Sequence, residues 1–300
     1  MSLLDIGKTK RDVSGKSRYT IRIEFMRGEE VKFISHLDIM RTFERAVRRA
    51  GIPVAYSQGF NPQPVIVFGL PLSVGVTSLA EYADIELTEF MEPLELKNTL
   101  NNELPSGLKI FNAGVRYNDK NIMASIYMAS YDVFVYITDN MAINYIKREV
   151  KEFLSSDTLI AVKEGKKGKK EINIKPMIFE FTFKNVNLSG CHIIKENTES
   201  TECTEYTEFT ESKECKESTE SKEHTDNNIS EKGNEKKEIF RISTMLRAGG
   251  EANLKPELLI ETFNRQMNTN LNIIHIHRTG LFVNVNGKLL KPMDPEILKK

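Results

Sequence analysis

Apolar and polar residues alternate over residues 19–25 (Tyr-Thr-Ile-Arg-Ile-Glu-Phe), placing Tyr19, Ile21, Ile23 and Phe25 on one face of a half-buried strand. The period then changes. From Ser35 onward, Leu37, Met40, Phe43, Val47 and Ala50 recur at three- and four-residue spacing and predict an amphipathic helix over residues 35–50 with these side chains toward the core. Ser35 is a suitable N-cap. Asp38 can return a bond in capping-box fashion and favours the helix dipole, while Gly51 and Pro53 end the helix. Residues 65–68 (Val-Ile-Val-Phe) read as a buried strand, and residues 82–87 alternate as another. Pro93 opens a helix to about residue 104, and residues 108–111 form a closing strand. The order β-α-β-β-α-β over residues 18–120 predicts a ferredoxin-like unit, an antiparallel sheet covered on one side by two helices.

A second α+β pattern follows over residues 121–300. Residues 131–137 read as a strand, 140–154 as a helix and 158–163 as a strand, with a turn at Gly165–Gly168. Residues 172–183 predict one long strand that pairs with residues 239–246. Pro256 starts a helix to about residue 266, and residues 271–277 end the unit as a strand. The expected fold is therefore α+β, two tandem ferredoxin-like units, with a loose polar N-terminus over residues 1–17.

One segment breaks both periods. Over residues 197–223 a glutamate recurs every third position (TES-TEC-TEY-TEF-TES-KEC-KES-TES-KE), which suits neither a helix face nor a strand face. Its apolar content is too low to offset the entropy of ordering, so residues 191–238 are expected to be a disordered insertion at a hairpin tip. The insertion also changes the meaning of the charge. The chain has 42 basic and 42 acidic residues, but residues 195–238 hold 14 acidic and 7 basic ones. The remainder carries 35 basic and 28 acidic residues, a mildly basic body compatible with RNA or DNA and equally with ordinary surface lysines. Of the three cysteines, Cys203 and Cys215 are positions within the repeat and Cys191 borders it, so no disulfide framework or metal set is indicated. No apolar run approaches membrane-spanning length and no signal peptide is evident, so a cytoplasmic setting with no membrane contact is expected.

The candidate chemistry lies in residues 33–78. Arg41, Arg45 and Arg48 form a stripe opposite the apolar helix face, and Arg49 adjoins it. The stripe suits phosphates, or else a solvated face laced by pairs with Glu44. Tyr56-Ser-Gln-Gly-Phe-Asn-Pro-Gln-Pro64 combines backbone punctuation at Gly59 with stacking and amide groups at Tyr56, Gln58, Phe60, Asn61 and Gln63. It reads either as a base-contacting loop or as a rigid turn that orients the next strand. The loop from Gly69 past Gly75 is neither GxGxxG nor a P-loop; it offers backbone N–H groups to an anion or simply bends the chain. His36, just inside the helix N-terminus, is a candidate acid or base toward a ribose hydroxyl and its phosphate, or a structural residue. His275 and His277 share a strand face, but no third ligand accompanies them, so neither a metal nor a cofactor is expected.

These residues also carry a resemblance. FISHLD (residues 33–38), Arg41 and Glu44, RRAG (48–51), Pro53, YSQGFNP (56–62), Leu70-Pro71-Leu72 with Gly75, Glu81-Tyr82 and LPSGL (104–108) together resemble the bacterial radical-SAM-linked protein family. The resemblance spans roughly residues 18–280, sharpest in the first third, and departs at Gln63, where family members often carry histidine. It implies a protein found beside or fused to radical-SAM proteins, often near a ribonuclease of the RNase E/G type. The chain lacks a CxxxCxxC motif, so it cannot ligate such a cluster itself. By fold order alone it is more loosely similar to CRISPR RNA-processing proteins. The expectation is an accessory, RNA-associated module acting with a radical-SAM protein. The alternatives are a metal-independent RNA-processing or RNA-modifying enzyme using His36, and a protein–protein scaffold.

Overall fold

The structure, a computed structural model, describes residues 8–11, 17–118, 120–137, 143–165, 168–185 and 239–299. The predicted insertion at 191–238 lies outside the described residues. Strand β1 (Lys8–Arg11) pairs antiparallel with β2 (Ser17–Arg27), although the polarity of residues 1–17 predicts no element there.

In the first half, β2 is followed by α1 (His36–Arg49), β3 (Ile66–Phe68), β4 (Val76–Leu87), α2 (Pro93–Glu103) and β5 (Leu108–Val115). The strands lie in the order β5–β2–β4–β3, with every pairing antiparallel. Ile21, Ile23 and Phe25 of β2 and Ala83, Ile85 and Leu87 of β4 share a core with α1 and α2. On α1 the buried stripe is Ile39, Phe43, Ala46 and Val47, and Leu37 is 63% exposed, against the expectation that it faces the core. At about 100° per residue, Leu37 stands roughly 120° around the helix from Phe43, so the two cannot share a face.

The second half contains α3 (Ile122–Ser125), β6 (Ile126–Ile137), α4 (Ile143–Ser155), β7 (Ile160–Gly165), β8 (Gly168–Asn173), β9 (Ile178–Asn185), β10 (Ile239–Arg247), α5 (Pro256–Met267) and β11 (Leu271–Val285). Here the order is β11–β6–β10–β9, again antiparallel. The long strand predicted over residues 172–183 is two strands. β8 turns back on β7 as a separate hairpin, and a 3-10 turn at Lys175–Met177 precedes β9. Pro176 explains the break, because it cannot donate to a ladder.

The two halves share one mixed sheet of ten strands. The seam is short and parallel: Ile276, His277 and Arg278 of β11 lie beside Val76, Thr77 and Ser78 of β4. The chain then turns through Asn286 and Gly287, both at positive φ (52° and 87°), into β12 (Lys288–Leu290). An Asn-Gly pair meets the demand of a primed hairpin turn for positive φ at both central residues. Helix α6 (Pro295–Lys299) follows, and this tail covers part of the sheet face away from α1 and α2. Tyr117 N–H donates to the Leu298 carbonyl, and Arg22 donates to the Pro292 carbonyl.

Candidate functional site

Helix α1 is fixed at its start by Ser35, whose Oγ accepts from the Asp38 N–H (3.2 Å) and donates to an Asp38 carboxylate oxygen (2.7 Å). The carboxylate thus returns its bond to the serine hydroxyl, and these bonds, with Arg41 behind them, hold Asp38 below the usual carboxylate range. Arg41, Arg45 and Arg48 are all exposed. Arg41 pairs with Asp38 (3.1 Å) rather than Glu44, Arg45 Nε donates to the Arg41 carbonyl, and Arg49 is tied to Glu103 of α2.

The loop at residues 56–64 is a closed hairpin. Ser57 N–H donates to the Gln63 carbonyl (2.8 Å), Gln63 N–H donates to Ser57 Oγ (3.0 Å), and Tyr56 bridges Pro64. Its base rests on the end of β4: Ala55 N–H donates to the Glu86 carbonyl, and Val54 bridges Leu87. Gly59 takes φ +136°, which side-chain-bearing residues rarely adopt. The next residue, Phe60, stands wholly in solvent, with Gln58 and Asn61 exposed beside it and Tyr56 partly so.

His36 lies at the other end of α1. Its ring packs edge-on against Phe68 (5.8 Å between centroids), which pairs with Ala83 of β4. His36 and the hairpin thus lie at opposite ends of β3 (Ile66–Phe68): Phe68 meets the His36 ring, and Pro64, just before the strand, closes the hairpin. Burial lowers the His36 pKa; Glu81 opposes the shift, and Arg27 and Arg278 add to it, so the ring is neutral at pH 7.

Those three neighbours form a buried cluster at the junction of the halves. Glu81 on β4 accepts from Arg278 of β11 (2.8 Å). Arg278 also donates to the Leu70 (3.0 Å) and Pro71 (3.2 Å) carbonyls and lies near the Tyr131 hydroxyl (3.5 Å). Burial pulls the Arg278 pKa down, and Glu81 and Tyr131 more than reverse it, so the net shift is upward. Arg27 closes the 3-10 turn at Glu29–Val31 by donating to the Val31, Lys32 and Ile34 carbonyls. The loop from Gly69 to Gly75 therefore turns carbonyls toward Arg278, and its glycine N–H groups are already engaged: Gly69 donates to Tyr82 and Gly75, at φ +85°, to Lys32. Phe33, Leu37 and Val74 are exposed apolar residues near this end, where Phe33 lies against Gly75.

The sequence singles out Glu81 but not Arg27, Arg278 or Tyr131. A signal was present: Arg27 continues the odd-numbered parity of Ile21, Ile23 and Phe25, and an arginine in core register needs a buried acceptor. On the opposite sheet face, His275 and His277 do share a side, and the residue they meet is Thr77. Thr77 Oγ1 lies 2.8 Å from His275 Nε2 and 2.7 Å from His277 Nδ1, with Glu29 3.5 Å from His275. Burial lowers both histidines, His277 to about 4. Among the described residues no group of three or more His, Cys, Asp or Glu side chains could hold a metal ion, and no helix is long and apolar enough to cross a membrane.

A family model described as "uncharacterized protein conserved in bacteria" (DUF2344) matches residues 20–213. The match takes in α1, the hairpin and β4, and it stops before β10, so Arg278 falls outside it. No curated protein matches the chain.

Proposed function

From the premise that the chain belongs to this conserved bacterial family, we propose that it is an accessory, RNA-associated module acting with a radical-SAM protein in the cytoplasm. The observation that carries the reading is the pinned hairpin holding Phe60 fully in solvent. A phenylalanine kept out of the core by a closed turn suits stacking on an unpaired base, which is worth about 1–3 kcal/mol per base. The exposed arginines of α1 supply phosphate contacts, and Tyr56, Gln58 and Asn61 flank the stacking residue.

The radical-SAM partner enters from the resemblance of residues 33–82 to radical-SAM-linked proteins. The exposed apolar residues Phe33, Leu37 and Val74 are the docking surface assigned to it. We read each half as a ferredoxin-like unit, a reading supported by the fourth-first-third-second strand order in both. An RNA-processing activity using His36 is the second reading. It is favoured by a neutral imidazole beside two buried arginines.

The test is RNA binding at several salt concentrations. Arg41→Gln, Arg45→Gln and Arg48→Gln together should reduce the slope of log affinity against log salt by about 2, at roughly 0.7 per single-strand phosphate contact. No measurable RNA affinity in the wild type at low salt rules the reading out. Cleavage or modification of RNA that His36→Ala abolishes would favour the second.

A further inference from the structure

The sheet has two outer strands of eight residues, β5 (Leu108–Val115) and β9 (Ile178–Asn185). An outer strand presents a row of backbone N–H and C=O groups that its single neighbour leaves unpaired. Such a row is either covered or open to another strand. β5 is covered. Asn101 of α2 donates to the Ile110 carbonyl (3.0 Å) and accepts from the Ile110 N–H (2.8 Å), and Lys97 donates to the Phe111 carbonyl (3.0 Å). Among the described residues, β9 ends the strand order and pairs with β10 alone. The side-chain bond to its backbone, from Thr244 to the Glu180 carbonyl, comes from β10 itself. Pro176 and the shift of register against Met245 and Leu246 lie at the start of β9, so residues 180–184 form a regular edge.

The side chains along this edge select what fits it. Phe181 and Phe183 are buried in the core, while Glu180 and Lys184 are exposed on the alternate positions, with Thr182 between them. Directly opposite residues of an antiparallel pair lie on the same sheet face and interact, favourably when their charges are opposite. A second β9, related by a twofold axis normal to the sheet, keeps the helix-covered faces on one side. With that axis at Thr182, Glu180 of each copy meets Lys184 of the other, and Phe181 meets Phe183 on the covered side. Moving the axis by one residue opposes Glu180 or Lys184 to Thr182 instead, and both charge pairs are lost. A lysine on an edge strand ordinarily keeps other strands away; here the same strand carries the acidic partner at the matching distance from the axis. We infer that β9 pairs antiparallel with β9 of a second copy of this chain, forming an isologous dimer in which the sheet continues from one copy into the other. The dimer is independent of the RNA and radical-SAM readings.

The experiment uses the full chain, with sedimentation equilibrium over a concentration series and native mass spectrometry of mixtures. Wild-type protein should show a reversible monomer–dimer equilibrium. Glu180→Lys and Lys184→Glu are changes at exposed positions, and circular dichroism verifies that both variants keep the wild-type fold. Each variant opposes like charges at both symmetry-related contacts and should weaken self-association about tenfold. Mixed in equal amounts, the two variants oppose only unlike charges, so heterodimers should form and outnumber either homodimer. An edge that serves folding alone gives no such recovery. A wild type that stays monomeric at every concentration reached, variants that self-associate as the wild type does, or a mixture without heterodimer preference overturns the inference.

Discussion

Replacing Asp84 by Asn tests the largest electrostatic commitment in the fold. Asp84 sits on β4 with its side chain 3% exposed, opposite Arg22 of β2, which is fully buried. One carboxylate oxygen accepts from Arg22 Nε at 2.7 Å; the other accepts from Arg22 Nη2 at 3.0 Å and from the Ile122 N–H at 2.8 Å. Arg116 lies 3.6 Å away. The carboxylate therefore joins β2, β4 and the start of α3, and Arg22 extends the link to the C-terminal tail through Pro292. At an effective dielectric of about 20, unit charges 3 Å apart attract by roughly 5 kcal/mol, but desolvation offsets much of that for an intact pair. Breaking the pair is different, since Asn preserves volume yet removes the charge that balances the buried Arg22 guanidinium. The expected loss is about 3–5 kcal/mol, or roughly 6–20 °C in Tm for a chain of this size. Chemical and thermal unfolding followed by circular dichroism measure it, and a double-mutant cycle with Arg22→Met should return a coupling of about 2–3 kcal/mol. A single-mutant loss below about 1 kcal/mol, or additivity within about 0.5 kcal/mol, would refute the assignment.

Acid should weaken the seam between β4 and β11. The depressed His275 and His277 contribute stability that is complete above about pH 6.5 and declines as pH falls toward 4, where His277 titrates. The ceiling from His277 is about 3 kcal/mol, reduced by screening at its half-buried ring. Urea unfolding between pH 7.5 and 5 should show this loss, and His275→Gln with His277→Gln should flatten it; an unchanged slope in the variant would remove the histidines as its cause. Phe60→Ala should leave stability within about 0.5 kcal/mol, as for a surface change, while weakening single-stranded RNA binding by about 1–3 kcal/mol. Equal RNA affinity in this variant would return the hairpin to a purely structural role.

Much of the local architecture was legible in the chain. Alternation located β2 and the latter part of β4, the Ser35 cap and Gly51 bounded α1, and prolines marked the starts of α2 and α5. The candidate contact residues could be named because Gly59, Phe60 and the arginine stripe occupy exposed positions whose character is local. Errors arose where a residue's environment comes from distant sequence. Leu37 is apolar but faces solvent, since helical phase rather than hydropathy sets its direction. Arg22 occupies the polar register of β2, where solvent was expected, and is buried by a tail some 270 residues further on. Local periodicity reports which face of an element a side chain occupies, but not what comes to cover that face. The Arg27–Glu81–Arg278 cluster and the Thr77–histidine contacts exist only because β11 pairs in parallel with β4. Strand pairing between residues some 200 positions apart is decided by the burial of the whole sheet, so propensities and caps determined the elements and the tertiary structure alone assembled the charged junction.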